Sequence, residues 1–341
     1  MKLKSVWRSA CAGVTAFAAG ALAALSAAPG ASASVLLSDN FNTAASSANY
    51  TAVSSDPTSS FPTYAYNYAV NGIPSAPNSG DSSTLGVKLD ANFLAPGAAE
   101  GVTLHTVASF AGDYVVKFDA WLNVNGPFPD GGSGSTNYLS AGVGGDGVTN
   151  NFVANTGAGG WTAVNGENGS GIDYRFYKDA SLQGVATAQY AAGTGTNARN
   201  GLDPYYASLG SVDVSNFPVQ GVNNGGPAQQ NGTSFAGSFG MDWHEVTLII
   251  DANGGTGGAA SMRWIVDGLQ IGTLDAGANG AFAATGRVTL GYSDPTSNQS
   301  DNPPLSFALI DNLTVTAVPE AGSLALIGLA AAGLSGLRRR R

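Results

Sequence analysis

Short stretches of alternating apolar and polar residues recur between residues 34 and 317. No window there keeps apolar residues at a helical spacing without an interrupting Gly or Pro, whereas a period of two predicts strands. Strands predicted in this way cover residues 35–37, 101–110, 113–124, 138–143, 243–251, 261–266, 287–292 and 307–316. Because Gly, Asn, Asp and Pro separate them, the pattern predicts an all-β fold, an antiparallel β-sandwich.

Three long segments between these strands lack such a pattern. Residues 43–84, 125–136 and 191–236 are rich in Gly, Asn, Ser, Thr, Pro and Ala, and they predict long loops. No composition break is strong enough to indicate a second domain, so we expect one sandwich domain over residues 34–317.

The clearest alternation lies in two consecutive strands. Trp243–Asp251 places Val246, Leu248 and Ile250 on one face, and Met262–Val266 is followed by Asp267-Gly268, a favoured hairpin turn. This segment resembles a motif of laminin G-like and concanavalin A-like sandwiches, in which a Trp-His pair opens a strand and the next strand ends in Val-Asp-Gly. The resemblance implies a jelly-roll arrangement of the body.

Residues 1–33 have the three parts of a secretory signal peptide. Lys2, Lys4 and Arg8 precede an Ala-rich apolar run, and Ala31-Ser32-Ala33 supplies small residues for cleavage after Ala33. A transmembrane anchor is the alternative, and the short apolar run followed by a small-residue site disfavours it. The leader makes signal peptidase an expected partner.

The last 24 residues contain a short motif, an apolar stretch and a basic end, in that order. The motif is Val318, Pro319, Glu320 and Ala321; the apolar stretch, a predicted hydrophobic helix, runs from Leu324 to Leu337; and the basic end consists of Arg338, Arg339, Arg340 and Arg341. This tail resembles the PEP-CTERM sorting signal of Gram-negative bacteria, from which it departs in having Ala at position 321. A plain C-terminal membrane anchor is the alternative, although the stretch is short for a full span.

The resemblance implies recognition by an exosortase, transient insertion in the inner membrane and delivery to the cell surface or the exopolysaccharide matrix. The Arg cluster would remain cytoplasmic and keep the body outside. We therefore expect residues 318–341 to be a processing and anchoring signal that does not belong to the folded body.

Charge excludes one class of partner. Charged residues make up 11% of the chain, and residues 34–317 contain 7 Lys and Arg against 22 Asp and Glu, a net charge of −15. Such a body repels nucleic acid, whose binding requires basic patches. The single cysteine, Cys11, lies in the leader, so the mature body contains neither disulfides nor thiolate metal sites.

Catalytic motifs are hard to find in this sequence. The four glutamates are scattered, the two histidines have no zinc-ligand spacing, and no Gly-x-Ser-x-Gly elbow occurs. His244 belongs to the strand described above, where a structural side chain is the favoured interpretation over a catalytic one. The sequence therefore predicts a protein that is not an enzyme.

Calcium is the one ion that the sequence suggests. Sandwiches of this kind often hold a structural Ca²⁺ between their first and last strands, and Asp39 and Asp311 occupy the matching places. The favoured alternative is a pair of turn or edge aspartates, because calcium needs six to eight oxygen ligands.

Aromatic residues near the Gly- and Asn-rich stretches could stack on sugars. The candidates for glycan binding are Trp161, Tyr174, Tyr205 and Tyr206, and the alternative is that they fill the sandwich core. The prediction is thus a non-catalytic surface or matrix protein, with glycan binding as its natural elaboration. A sandwich-fold glycan hydrolase or lyase is the alternative function.

Overall fold

The computed structural model describes residues 33–129, 136–185, 188–197, 199–214, 230–279 and 281–319. Residues 33–318 form one compact unit. The predicted signal peptide, apart from Ala33, and the sorting tail from Glu320 onward lie outside the described residues. This includes Ala321, the predicted hydrophobic helix and the four terminal arginines, so these assignments stay predictions at the structural level.

Strands dominate the described part of the chain. They are β1 (Val35–Asp39), β2 (Tyr50–Ser54), β3 (Phe61–Asn67), β4 (Leu85–Asp90), β5 (Glu100–Thr106), β6 (Tyr114–Asn123), β7 (Tyr138–Gly145), β8 (Gly160–Asn165), β9 (Tyr174–Lys178), β10 (Ser181–Leu182), β11 (Ala188–Tyr190), β12 (Trp243–Asp251), β13 (Ser261–Val266), β14 (Leu269–Asp275), β15 (Arg287–Asp294) and β16 (Phe307–Ala317). One short α-helix, α1 (Ala276–Asn279), and 3₁₀ turns at Ala44–Asn49, Tyr68–Asn71, Asn200–Leu202, Pro204–Leu209, Thr256–Gly258 and Pro303–Leu305 complete the regular structure of these residues.

The strands form two sheets. In the described residues, one sheet has nine strands in the order β11-β14-β13-β12-β6-β16-β4-β3, with β1 pairing with β16 beyond the end of β4. The other has seven strands in the order β10-β9-β8-β7-β15-β5-β2. Neighbouring strands are antiparallel in both sheets. The predicted all-β, antiparallel sandwich is confirmed.

The core lies between the sheets and follows from strand alternation. On β6, Val116 and Phe118 point inward, and the register of β12 places Leu248 opposite Val116 and Val246 opposite Phe118. Each of these side chains is buried, as is Leu139 on the facing seven-stranded sheet. Apolar area removed from water at such positions stabilises the sandwich by roughly 25 cal/mol per Å².

The predicted strands β12 and β13 and the turn after β13 are confirmed, and β14 follows this turn. Val266 pairs with Leu269 across a two-residue loop, and Asp267 and Gly268 both have positive φ, at 49° and 79°. Two left-handed residues match the right-handed twist of the flanking strands, which is why Asp-Gly suits this hairpin.

The prediction of a continuous loop over residues 43–84 is wrong. That segment contains β2 and β3, and β4 follows directly at Leu85. The side chains of β3 are half-buried on both faces, so the strand shows no apolar alternation by which it could be recognised. β8 was not predicted either. All six of its residues are buried, so both of its faces are alike, and Gly, Thr and Ala give it no apolar alternation.

The outer face of the nine-stranded sheet is covered only in part. The connection between β3 and β4, residues 68–84, lies over one half of it, where the Trp243 indole donates a 2.8 Å hydrogen bond to the Pro74 carbonyl and packs edge-on against Tyr68. Lys117 and Val115, further along β6 on the same face, remain partly exposed. The border between the two halves forms the site described next.

Candidate functional site

A polar groove lies on the outer face of the nine-stranded sheet, beside the connection of residues 68–84. We call it the polar groove; it has a volume of about 290 Å³ and is lined by Ser38, Asp39, Asn40, Asn78, Lys117, Phe118, Glu245, Asn312 and Thr314. A second hollow of about 410 Å³ adjoins it, sharing residues 38–40 and continuing along Thr43, Ala45, Ser46 and Asn49. Amide, hydroxyl, carboxylate and ammonium groups therefore converge on one open surface.

Strand register brings the charged residues of the polar groove together. Thr314 of β16 is opposite Lys117 of β6, and Glu245 of β12 is opposite Asp119 of β6. Lys117 and Glu245 are consequently diagonal neighbours, and their Nζ and Oε1 atoms are 2.8 Å apart. Both side chains are about one-third to one-half exposed, so solvent weakens this ion pair and leaves its atoms accessible to a ligand.

Asn78, in the connection of residues 68–84, lines the polar groove and contacts the carboxylates of the sheet. Its Nδ2 atom donates to Asp119 Oδ1 at 2.6 Å and to Glu245 Oε2 at 3.3 Å, and its backbone N–H donates to Asp119 Oδ2 at 3.0 Å. A single asparagine thus satisfies carboxylates from two strands. Asn78 holds the connection of residues 68–84 against the sheet.

Asp119 and Asp311 are directly opposite each other on β6 and β16, and both are buried. Burial, with the nearby negative charge of Asp119, raises the pKa of Asp311 to about 7, although hydrogen bonds from Asn312, Tyr68 and Ser79 act in the opposite direction. Near neutral pH the pair therefore carries less than two negative charges.

A β-bulge in β16 places Asn312 beside this pair. The register shifts between Asp311 and Thr314, and Asn312 has a φ of 53°, a conformation that asparagine tolerates better than most residues. The Asn312 Nδ2 atom donates to Asp119 Oδ2 at 2.8 Å and to Ser79 Oγ at 3.0 Å. The bulge thereby turns a strand residue into part of the floor of the polar groove.

The two predicted calcium ligands are engaged in separate hydrogen-bond networks. Asp39 accepts from Phe41 N, Ser46 Oγ and Asn49 Nδ2 at 2.7–2.9 Å. Asp311 accepts from Asn312 N at 2.7 Å and from the Tyr68 hydroxyl at 3.1 Å. Across the described ranges, no group of three or more His, Cys, Asp or Glu side chains is arranged to hold a metal. An ion between Asp39 and Asp311 would have to displace these protein donors.

Three of the four predicted sugar-stacking residues are buried, which corrects that prediction. Trp161 and Tyr174 have no exposed surface, nor does Tyr206, whereas Tyr205 is 38% exposed. Trp161 stacks on Tyr177 at 4.0 Å between ring centroids, and Tyr174 packs on Tyr206 at 4.7 Å. Ring faces used in this way are unavailable to a sugar. Burying these large rings stabilises the fold, so they lie in the core although the sequence around them is polar.

His244 has a structural environment in this fold. It is buried, its Nδ1 atom is 2.6 Å from Asp267 Oδ2, and its ring packs against Phe239. Asp267 in turn accepts from the Glu245 backbone N–H through Oδ1. The pair fixes the β13–β14 hairpin against β12.

Sequence reasoning did not single out Lys117, Asn78 or Asn312. A signal was present in β6, where Lys117 and Asp119 alternate with the apolar Val116, Phe118 and Ala120. That alternation shows which β6 residues point outward. It does not show that residues 78, 245 and 312 meet them, because this depends on strand order and on the bulge in β16.

Comparison with protein-family models matches residues 317–341 to the PEP-CTERM protein-sorting motif. The predicted sorting motif is therefore confirmed at the level of sequence. A search of curated proteins finds no match. Among the residues that the structure describes, no helix combines the length and the apolar character that crossing a bilayer requires.

Solved structures with a similar arrangement of strands share little sequence with this chain. A Bacillus subtilis protein of unknown function with a galectin-like fold is 9% identical, with coverage of 84% of this chain and 98% of its own and a TM-score of 0.36. A carbohydrate-binding module from Bacillus subtilis is 8% identical, with coverages of 68% and 86% and a TM-score of 0.32. An endo-β-galactosidase from Clostridium perfringens is 10% identical, with coverages of 84% and 62% and a TM-score of 0.37. Likeness of this degree does not extend to function.

Proposed function

We propose that this is a non-catalytic exported protein, sorted by an exosortase to the cell surface or the exopolysaccharide matrix of a Gram-negative bacterium. The observation that carries the proposal is the sorting motif at residues 317–341, which begins where β16 ends at Ala317. Signal peptidase removes the leader after Ala33. The apolar stretch from Leu324 and the terminal arginines hold the tail in the inner membrane until it is processed.

The C-terminus of the mature protein tests the sorting step. Intact-mass measurement of surface material should show that Arg341 is absent when the exosortase is present and retained when its gene is deleted. Changing Pro319 and Glu320 to Ala should have the same effect as the deletion. An intact Arg341 in surface material of the unmodified strain would contradict exosortase processing.

Within the sandwich, we assign ligand binding to the polar groove, and the ligand class is a glycan. Sugars present many hydroxyl groups, and Asn40, Asn78, Asn312 and Thr314 offer amide and hydroxyl partners for them along one surface. Lys117 and Glu245 add a donor and an acceptor of opposite charge. A few converging polar groups on a preformed surface are typical of a small-ligand site.

The buried carboxylates favour binding over hydrolysis. Glycoside hydrolysis requires two carboxyl groups that flank the scissile bond. Asp119 and Asp311 are covered by the connection of residues 68–84 and occupied by its donors, and Glu245 is paired with Lys117. A sugar in the polar groove would therefore contact amide and hydroxyl groups before it reached the carboxyl pair.

A glycan array probed with the mature chain tests the binding role. Thr314→Val removes a hydroxyl from the polar groove and should weaken binding by roughly two- to tenfold, the value of one neutral hydrogen bond. Thr316→Val is the matched control, because Thr316 lies on the same strand face outside the groove. Reducing-sugar release, or unsaturated products, from any bound glycan would favour the hydrolase or lyase alternative. Absence of binding to every glycan would contradict the binding role and leave the sorting step unaffected.

A further inference from the structure

The two processing junctions of the chain lie side by side in the folded protein. Cleavage after Ala33 makes Ser34 the first residue, and the Ser34 carbonyl accepts a 2.9 Å hydrogen bond from Ala317 N, the residue before the sorting motif. Val35 pairs with Thr316, and Val318 N donates to the Asp113 carbonyl at 2.9 Å. The mature N-terminus and the start of the anchoring tail therefore occupy the same end of the sandwich, which we call the junction end.

Exposed apolar side chains cluster at this point. Val35 is 63% exposed, Leu36 is 45% exposed and Val318 is 41% exposed, and we call these three residues the junction patch. A register shift between Val35 and Leu37 makes Leu36 a bulge residue, so two consecutive apolar side chains are presented instead of one. Contiguous exposed apolar surface is typical of sites that contact a membrane or another protein.

The connections beside the junction patch carry no charged side chain. Residues 107–112, 252–260 and 276–286 consist of Gly, Ala, Asn, Thr, Ser, Val and Phe. The carboxylates at the adjoining strand ends bind backbone N–H groups of these turns: Asp113 accepts from Ala252 N at 2.8 Å, and Asp275 accepts from Gly277 N at 2.8 Å. The charged side chains at this end also include Asp251, which is exposed at the end of β12, Asp146 of the β7–β8 connection and Arg287 of β15.

The chain itself fixes how far this end can move from the bilayer. Four residues, 320–323, separate Pro319 from the apolar stretch that begins at Leu324. When this segment is fully extended, the five steps from Pro319 to Leu324 span at most about 18 Å. While the tail remains anchored, the junction end is therefore held within reach of the lipid headgroups.

We infer that the junction patch, with its uncharged connections, rests on the lipid bilayer interface while the tail is anchored. The inference rests on the proposed sorting function and adds the orientation of the body during that step. The free energy of apolar side chains falls when they move from water to the headgroup boundary. A body with a net charge of −15 is repelled by anionic lipids. At the junction end, the apolar patch opposes this repulsion, and the connections beside it add no charge to the carboxylates of the adjoining strand ends.

Lipid-borne quenchers measure which end faces the bilayer. The full mature chain, residues 34–341, is inserted in vesicles of phosphatidylethanolamine and phosphatidylglycerol that contain spin-labelled lipid. Since its only cysteine lies in the leader, a fluorophore can be attached at Asn253→Cys, in an uncharged connection, or at Asp301→Cys, in the β15–β16 connection at the opposite end. We expect several-fold stronger quenching of the label at position 253.

Variants then separate the patch from the tether. Val35→Ser with Leu36→Ser should lower quenching at position 253 by about two- to threefold, because less apolar area favours the interface. Val185→Ser is the matched control, since Val185 is 59% exposed and lies outside the patch, and it should leave quenching unchanged. Thermal unfolding of each variant shows whether the fold is retained.

The outcomes distinguish the inference from the proposed function. Equal quenching at the two ends, or no effect of the double variant, would overturn the inference while the anchored tail stands. Quenching that requires added exosortase, or that disappears on dilution of the chain in the membrane, would assign the patch to a protein partner or a second copy and also overturn it. A chain that does not float with the vesicles would refute both the anchoring and the inference.

Discussion

Carboxylates hold the connections at both ends of the sandwich, but their surroundings differ. At the junction end, Asp113 and Asp275 accept hydrogen bonds from the glycine- and alanine-rich connections, and hydrogen bonds from Thr256 lower the pKa of Asp275. At the opposite end, which we call the acidic end, buried carboxylates hold the connections. Glu100 accepts from Ser60 and Asn92, and Asp294 accepts from Asn92 and Thr296.

The carboxylates of this chain, which has few charged residues, fix its long polar connections. Long connections rich in Ser, Thr and Asn cannot be fixed by apolar packing alone, and a carboxylate that accepts two or three donors fixes them instead. Burial raises the pKa of Asp294, which marks the energetic penalty of this arrangement. At the junction end, Asp275 holds its turn without that penalty, because the hydrogen bonds from Thr256 favour its charged form.

The largest effect is expected from removing the aromatic anchor of the junction end. Tyr114 is fully buried, donates a 2.8 Å hydrogen bond to the Ala284 carbonyl and packs on Phe110. Tyr114→Ala should lower the free energy of unfolding by about 3–5 kcal/mol, and Tyr114→Phe, which loses only the hydroxyl, by about 1 kcal/mol. Urea unfolding measures both. Equal losses would show that the hydrogen bond, and not packing, secures this end.

At the acidic end, the stability should depend on pH through Asp173. Burial raises its pKa to about 6, so between roughly pH 4 and 6 the folded protein retains a proton that the unfolded chain has released. The contribution of Asp173 to the free energy of unfolding should therefore fall as pH rises through this window and level off above it, by on the order of 2–3 kcal/mol in total. Asp173→Asn should flatten that slope in urea titrations. A slope that is unchanged in the variant would assign it to other groups.

A smaller loss is expected for Asn92, which links two carboxylates of the acidic end. Its Nδ2 atom donates to Asp294 Oδ2 at 2.9 Å, and its Oδ1 atom accepts from Ala98 N at 2.9 Å. Asn92→Ala removes the amide partner of the buried Asp294 carboxylate and of the part-buried Ala98 N–H but keeps the backbone bond to Glu100, and it should lower the free energy of unfolding by about 1–3 kcal/mol. Denaturation at pH 7 checks this value. A change below about 0.5 kcal/mol would show that water replaces the amide without penalty.

The smallest effect on stability belongs to the junction patch. Val35→Ser with Leu36→Ser changes two exposed side chains, and in solution it should shift the free energy of unfolding by no more than about 0.5 kcal/mol. Thermal unfolding without vesicles measures this directly. A larger loss would mean that the patch stabilises the fold itself, and the contrast between the two ends would then narrow.

The sequence predicted the elements whose alternation is complete. β12, β13 and the Asp267-Gly268 turn are correct because one face of each strand is largely apolar and buried throughout, whereas the other face holds all of its partly exposed and exposed residues. β3 and β8 escaped prediction since neither has two contrasting faces. The sorting motif could be identified because it depends on linear order alone, and the comparison with family models confirms it.

The candidate site was much less predictable. Trp161 and Tyr174 lie near glycine-rich sequence, which suggested exposure, but the fold stacks them on other rings. The polar groove joins Asn78, Lys117 and Asn312, which are far apart in the chain. Their proximity depends on strand order and on one bulge, and no local pattern in a single sequence encodes either of these.

The position of β16 has a mechanical consequence. β16 pairs with β6 along most of its length, and the sorting motif begins at its last residue, Ala317. A pull on the C-terminal end of β16 would enter the sandwich at Ala317, where β16 is hydrogen-bonded to β6 on one side and to β1 on the other. Asn312 and Thr314 of the polar groove lie on the same strand. If the proposed ligand and anchor are both engaged, force between them would therefore load β16 and its neighbours β1 and β6 before it reached the other sheet.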